Sequence, residues 1–361
     1  MKKIVVVGGH LTPAQALIEK LEPYRQIKIY FFGRKRVTSG STNISAEYEQ
    51  TSSLPIEFKN ILAGRVERHI SPHFVPSLIK IPVGFVQSFI HLLLIRPQLV
   101  VSFGGSLSFP VVFSAWLLGI DAITHEQAAV PGFSNRLNAI FVSKIYLTWP
   151  QTARYFPNEK TKVIGNLIRE GILADNQPLH ALPKNTLVVM GGNQGSHFLN
   201  QFIFTNIKAL KNYNIIHSVG MANFKGDWQK AKSIKDKNYV WYEFIKPQEL
   251  RKIYKQSDFI LARAGANTIW EMAILKKIGI LVPLPHSAGG EQEQNARILE
   301  NAGSVLVINQ GQASDQSLLN SLEAAKSNYK QMQSAAQALS LKLPKNAASI
   351  LASDVVKMLS D

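Results

Sequence analysis

The chain has no cysteine in its 361 residues, which excludes a disulfide framework, a thiolate nucleophile and a Cys-ligated metal. Acidic side chains are scarce: 24 Asp and Glu stand against 40 Lys and Arg, a formal charge of +16. Such a balance suits nucleic acid, an anionic bilayer or a phosphate-bearing substrate. There is no basic tract and no DNA- or RNA-binding motif, which argues for no nucleic acid among the partners. No H-E-x-x-H, no D-x-D pair and no G-x-S-x-G occurs, so no metal and no acyl-enzyme is expected. The start, Met1-Lys2-Lys3-Ile4, runs into a predicted strand without the apolar core of a signal peptide, and with the missing cysteine this fits a reducing cytoplasm. The most apolar stretch, residues 74–97, is interrupted by Lys80 and Pro82 and is too broken for a spanning helix.

What the chain does have is a repeated turn. "IVVVGGH" (4–10), "LVVSFGGS" (99–106) and "LVVMGGNQG" (187–195) each read as a buried strand, a glycine turn and the start of a helix. Thr12-Pro13-Ala14-Gln15 reads as a capping box with proline at the first helical position. Continuous apolar strands alternating with amphipathic helices predict α/β architecture with doubly wound parallel sheets. In such sheets ligands sit beyond the carboxyl ends of the strands, where these turns lie. Glycine lets a ligand approach the backbone, and a helix starting there aims free N–H groups at it; phosphate is the natural guest. A tight turn without a ligand satisfies the same pattern. The length predicts two domains, with a boundary after "VIGNLIR" (163–169) and a ligand cleft between them. Residues 1–165 hold 18 basic and 9 acidic side chains, a net of +9 that leaves +7 for the longer remainder.

Other stretches carry candidate chemistry beside a bland reading. His125, Glu126 and Gln127 end an apolar strand, where they either act on a ligand or brace a loop. Glu271 follows the turn Ala264-Gly265-Ala266, on the first turn of a helix predicted to start near Asn267. It suits two ribose hydroxyls, or it complements the helix dipole. Glu291 and Gln292 suit vicinal sugar hydroxyls, or form a solvated helix start. His10 ends the first glycine turn, where it takes a proton, caps the helix or contacts a phosphate. Arg65, Arg68, His69, His73 and Lys80 cluster around the apolar stretch that holds Phe85, Phe89 and Leu93. That is the pattern of a surface resting on an anionic bilayer, or of a buried helix beside a solvated loop.

Taken in series, "GGH", "SFGGSLSFP", "HEQAAVPGFSNR", "GNLIR", "GGNQGSHFLNQ", "YEFI", "RAGANTIWE" and "EQEQNARILENAG" resemble the MurG family over almost the whole chain. Those enzymes transfer N-acetylglucosamine from its UDP donor onto lipid I to give lipid II for peptidoglycan. The resemblance implies a GT-B fold. Residues 1–165 plus 345–361 would form an acceptor and membrane-associating domain, and 166–344 a UDP-sugar-binding domain, the last helix crossing back. It implies donor binding by Arg169, Gly192, Asn193, Gln194, Ile245, Ala264, Glu271, Glu291 and Gln292. It implies acceptor diphosphate binding by Gly8, Gly9, Gly104, Gly105, Ser106, His125 and Gln127. His10 is then the first choice for the catalytic base and Glu126 the second, in an inverting reaction that needs no metal and no cofactor. The enzyme would sit peripherally on the cytoplasmic face of the cell membrane. Asn193, Ala128, Glu291 and Leu167 stand where the family usually has serine, asparagine, glutamine or histidine, and proline. The rivals are a UDP-N-acetylglucosamine 2-epimerase, another GT-B glycolipid synthase and a non-catalytic cell-wall scaffold.

Overall fold

The computed structural model describes residues 1–36, 45–52, 54–62, 74–169, 172 and 185–360. The chain divides into two units, Met1–Arg169 with Pro344–Asp361, and Glu170–Leu343.

The first unit opens with β1 (Lys2–Val7), α1 (Leu11–Leu21), β2 (Ile27–Gly33), α2 (Ala46–Thr51) and β3 (Glu57–Asn60). It continues with α3 (Phe74–Ile95), β4 (Leu99–Ser102), α4 (Ser108–Leu117), β5 (Asp121–Glu126), α5 (Phe133–Phe141), β6 (Lys144–Leu147) and β7 (Thr161–Val163). The seven strands are parallel, in the order β3-β2-β1-β4-β5-β6-β7. Ile4 to Val7 and Val100 are wholly buried, as an apolar run covered on both faces requires.

The second unit contains β8 (Thr186–Met190), α6 (His197–Asn206), β9 (Asn214–Ser218), α7 (Asp227–Ser233), β10 (Tyr239–Tyr242), α8 (Pro247–Gln256) and β11 (Phe259–Ala262). Then follow α9 (Ala266–Ile274), β12 (Gly279–Leu281), α10 (Glu291–Asn301), β13 (Val305–Val307), α11 (Asp315–Ser327) and α12 (Tyr329–Leu341). Its parallel order is β10-β9-β8-β11-β12-β13. The final helix, α13 (Ala347–Ser360), packs Leu351, Val355 and Leu359 into the core of the first unit, and its Asp354 accepts from the Tyr146 hydroxyl at 3.0 Å.

In each sheet the strand order reverses at one place, between β1 and β4 and between β8 and β11. Such a switch point opens a crevice at the carboxyl end of the sheet. The glycine turns after β1, β4 and β8, and the Ala264-Gly265 turn after β11, all fall there.

Two local readings change. The first helix starts at Leu11 with His10 as N-cap, so Thr12-Pro13 lies inside its first turn and forms no capping box. The turn leads straight into the helix, and Pro13 lacks only an N–H that no helix start can use. Pro82 does not break α3, which runs unbroken for 22 residues. No helix among the described residues is long and apolar enough to cross a membrane.

Candidate functional site

In the first unit, two glycine turns touch. A Cβ on Gly9 would lie 2.0 Å from the Gly104 carbonyl oxygen, and one on Gly105 would lie 2.8 Å from the Gly9 Cα. Only glycine lets neighbouring strand ends meet so closely, and Gly105 also needs its positive φ of 78°. Beside them Ser106 accepts a hydrogen bond from the Arg34 guanidinium.

His10 makes no side-chain cap to α1. Burial lowers its pKa to about 4, so its imidazole is neutral at neutral pH and able to accept a proton. His125 is buried, with Nε2 at 3.1 Å from the Gly165 carbonyl oxygen and no partner for Nδ1. Burial lowers its pKa to about 4 as well, and the neighbouring His10 adds to the shift. Gln127 is buried with its Oε1 unpaired.

Glu126, the second choice for the base, has both carboxylate oxygens in hydrogen bonds. Its Oε1 accepts from the Ala128 N–H at 2.9 Å, and its Oε2 accepts from the Gly132 N–H at 3.1 Å and from Asn135 Nδ2 at 2.9 Å. With both oxygens held, the carboxylate braces the 127–132 loop. Arg169 falls in the first unit, where its Nη1 donates to Gln15 Oε1 at 3.3 Å.

In the second unit the Gly191–Gly195 turn divides its glycines by purpose. A Cβ on Gly191 would meet the Ser196 nitrogen at 2.2 Å, and one on Gly195 the Val219 carbonyl oxygen at 2.0 Å. Both serve close packing. Gly192 has a φ of 83° and open space where a Cβ would point. The Met221 and Ala222 N–H groups donate to the carbonyls of Asn193 and Gln194, which ties the turn to the end of β9.

This turn lines a cavity of about 930 Å³, whose walls include Asn193, Gln194, His197, Arg263 and Gln292. Arg263 is buried at the end of β11 and donates to Ser196 Oγ and to the carbonyls of Val282 and Pro283. It thereby fastens three loops around the cavity, and burial lowers its pKa to about 10, which leaves it charged. Gln292 Oε1 accepts from the Leu284 N–H at 2.9 Å, and Gln292 Nε2 makes no hydrogen bond among the described residues.

Of the donor residues expected from the sequence, Asn193, Gln194 and Gln292 line this cavity; Arg169, Gly192, Ile245, Ala264, Glu271 and Glu291 do not. Glu271 sits on the second turn of α9, not the first, because that helix starts at Ala266 with Gly265 as N-cap. It is buried, and its Oε2 accepts from the Tyr254 hydroxyl at 2.8 Å. Glu291 is the first residue of α10, and burial raises its carboxyl above the usual range. Sequence reasoning missed His197 and Arg263. A charge directly after the apolar strand Phe259–Ala262 was the available signal for Arg263.

Arg65 and Arg68 lie outside the described residues, as does the side chain of Lys80. Phe85 is half-buried and packs edge-on against Phe109 and Phe113 of α4, and Phe89 is half-buried as well. The exposed apolar positions of α3 are Val83, Val86, Ile90, Leu93 and Leu94. Neighbouring helices continue them with Trp116, Leu117, Phe133 and Ile140. Lys160 Nζ donates to the Ala139 carbonyl at 3.2 Å, which sets a cation beside Ile140.

Two doubly wound parallel sheets, each with glycine turns at its switch point, are the GT-B plan, and the family models below place the chain among its glycosyltransferases. Residues 7–147 match the glycosyltransferase family 28 N-terminal domain, and residues 186–350 match the glycosyltransferase family 28 C-terminal domain. The UDP-N-acetylglucosamine--N-acetylmuramyl-(pentapeptide) pyrophosphoryl-undecaprenol N-acetylglucosamine transferase of Halothermothrix orenii is 32% identical over 345 residues, covering 91% of each chain. The crystal structure of Acinetobacter baumannii MurG superimposes with a TM-score of 0.73 at 23% identity, over 99% of this chain and all of that one. The UDP-GlcNAc 2-epimerase from Neisseria meningitidis shares the fold at a TM-score of 0.64 and 14% identity, over 99% of this chain and all of that one. The chain belongs to the MurG family.

Proposed function

We propose that the protein transfers N-acetylglucosamine from UDP-N-acetylglucosamine to lipid I, the undecaprenyl-diphosphate-linked muramyl peptide, giving lipid II for peptidoglycan. The observation that carries this reading is the match, over nine-tenths of the chain, to relatives named for that reaction. The second unit takes the donor: Gly192 and Asn193 face its diphosphate, backbone at Ile245 and Ala264 holds the uridine, Glu271 the ribose, and Gln292 with Glu291 the sugar. Arg169 stays a donor contact in this reading. The first unit takes the acceptor diphosphate on its joined glycine turns with Ser106, His125 and Gln127.

The acceptor hydroxyl attacks the anomeric carbon from the face opposite UDP. The new C–O bond forms as the bond to the β-phosphate breaks, and its electron pair leaves with UDP, so the anomeric configuration inverts. His10, neutral at the working pH, takes the hydroxyl proton. Backbone N–H donors and helix N-termini at the donor turns meet the charge on the leaving diphosphate without a metal. The exposed apolar positions on α3, α4 and α5, with Lys160 beside Ile140, seat the enzyme peripherally on an anionic membrane face in the cytoplasm, and Arg65, Arg68 and Lys80 are the further cations the sequence offers it.

Turnover of UDP-N-acetylglucosamine with a soluble lipid I analogue, with the product mass measured, tests the reading. A product heavier than the acceptor by one N-acetylhexosamine supports it. Conversion of the donor alone to its 2-epimer, transfer only to diacylglycerol, or no binding of UDP-sugars would replace it with one of the rivals.

A further inference from the structure

The donor cavity holds a titratable group that the reaction scheme above leaves unused. His197 is the first residue of α6, directly after the glycine turn. Its Nδ1 lies 2.9 and 3.0 Å from the two oxygens of Asp227. Asp227 is wholly buried, and its other partners are the neutral amides of Asn200, at 2.8 Å, and Gln201, at 3.1 Å. A buried carboxylate needs good hydrogen bonding and gains from a cation. With Nδ1 against a carboxylate, the proton sits on Nδ1, and Nε2 is the ring nitrogen left for a ligand. His197 lines that cavity with Asn193 and Gln194, its side chain about 31% exposed, and Nε2 makes no hydrogen bond among the described residues.

The surrounding charges are accounted for. Arg263 lines the cavity, with its N–H groups given to Ser196, Val282, Pro283 and Gln310. Asp315, the first residue of α11, lines it too. Lys230 of α7 donates to Gln201. His217, one hydrogen bond further along through Asn200 Oδ1, is buried, and its pKa is lowered to about 3 by desolvation, so it stays neutral. His286 lies in the loop after β12 and makes the necessary control.

We propose that His197 is a donor-binding residue whose imidazolium, oriented by Asp227, contacts the diphosphate of the sugar nucleotide, so that donor binding takes up a proton. The inference rests on the donor reading above. Histidine ordinarily changes charge between pH 5 and 8, and an anion on Nε2 together with a carboxylate on Nδ1 favours the cation in the complex.

The experiment is calorimetric binding of UDP-N-acetylglucosamine between pH 6 and 8, in two buffers of different ionisation enthalpy. Both phosphates of this ligand are esterified, so they lack the second ionisation near pH 6 that free UDP brings. The wild type is expected to take up a fraction of a proton near pH 7 and to bind about three- to tenfold tighter at pH 6 than at pH 8. His197→Gln should lose the uptake and become flat with pH to within about twofold. His197→Lys should bind with no uptake, because its charge is permanent in this range, and His286→Gln should behave as the wild type. Wild-type binding without uptake, uptake that survives in His197→Gln, or uptake lost in His286→Gln would each overturn the proposal while leaving the donor reading intact. A wild type that binds no UDP-N-acetylglucosamine at any pH would overturn both.

Discussion

The two units share one sheet plan and use it differently. At the switch point of the first, Gly9 and Gly105 press two neighbouring turns together, and the histidines beside them, half-buried His10 and buried His125, are neutral. At the switch point of the second, Gly191 and Gly195 bind one turn to its own helix and to the end of β9, Gly192 has open space beside it, and the turn lines a cavity with His197 and Arg263. The same sequence word, apolar strand followed by paired glycines, thus gives joined turns beside two neutral imidazoles in one place and the wall of a large cavity that holds the Arg263 cation in the other. The difference suits a division of chemistry: a neutral base accepts a proton, and a leaving diphosphate wants cations and N–H donors. The predictions below test that division, from the largest expected effect to the smallest.

His10→Ala should lower kcat by about 10²–10⁴ while UDP-N-acetylglucosamine affinity is unchanged, since every donor residue but Arg169 lies in the other unit and His10 is not among them. With the pKa of His10 lowered to about 4, kcat at saturating donor should be flat from pH 8 down to about 5.5. A wild-type acid limb that persists with the same midpoint in His10→Ala would remove it from proton transfer. Glu126→Gln serves as the contrast: thermal stability should fall because the carboxylate holds three donors, with kcat following only as far as the loop is disturbed.

The second prediction concerns acid stability. The folded pKa values of His125 and His217 lie at about 4 and about 3, below the unfolded value of 6.5. The unfolded chain therefore binds protons first as pH falls. The stability from keeping these rings neutral is fully present above pH 6.5 and drains away below it, by about 2 kcal/mol for each ring by pH 5. Thermal unfolding at pH 7, 6 and 5 measures the loss, and unchanged midpoints would mean the rings are not desolvated. His217→Gln should flatten the part that belongs to the second unit.

Much of this arrangement was legible in the sequence. Buried parallel strands announce themselves as apolar runs such as Ile4–Val7, and a strand-to-helix turn announces itself by its glycines. The purpose of each glycine was not legible, because close packing and ligand approach demand the same residue. The boundary of a helix entered from a glycine turn was misplaced at Leu11 and at Ala266, since backbone geometry there replaces side-chain caps. Glu126 was ambiguous for a different reason. A buried carboxylate is equally a base or a brace until the N–H groups of Ala128 and Gly132, brought round by a loop, are seen on its oxygens. His197 carried no local signal at all: its partner Asp227 is 30 residues away and meets it only in the folded unit.

A third test bears on the second unit alone. Glu271→Ala should weaken donor binding by about 1–3 kcal/mol if its carboxylate holds the ribose. Because the Tyr254 hydroxyl also donates to Glu271, thermal stability should fall as well. Tyr254→Phe separates the two effects, keeping Glu271 in place without that hydrogen bond. A drop in stability with donor affinity unchanged in Glu271→Ala would assign the residue to the α8–α9 contact.

The smallest expected effect sharpens what distinguishes the first unit's surface. Val86, Ile90 and Leu94 are 58%, 48% and 73% exposed, so replacing all three with serine removes hydrocarbon that packs little against the fold. Vesicles containing anionic lipid should bind the triple variant about tenfold more weakly, because each side chain contributes only the part it inserts at the interface. Thermal stability and UDP-N-acetylglucosamine affinity should stay at wild-type values. Added salt should weaken binding of both proteins, because the attraction of an anionic surface for the cations of this unit is screened. Phe85→Ser is the opposite case: its ring packs against Phe109 and Phe113, so that change should lower stability. Undiminished vesicle binding by the triple variant would mean that the membrane rests on another part of the molecule, and the apolar face of α3 would then have no bearing on where the enzyme sits.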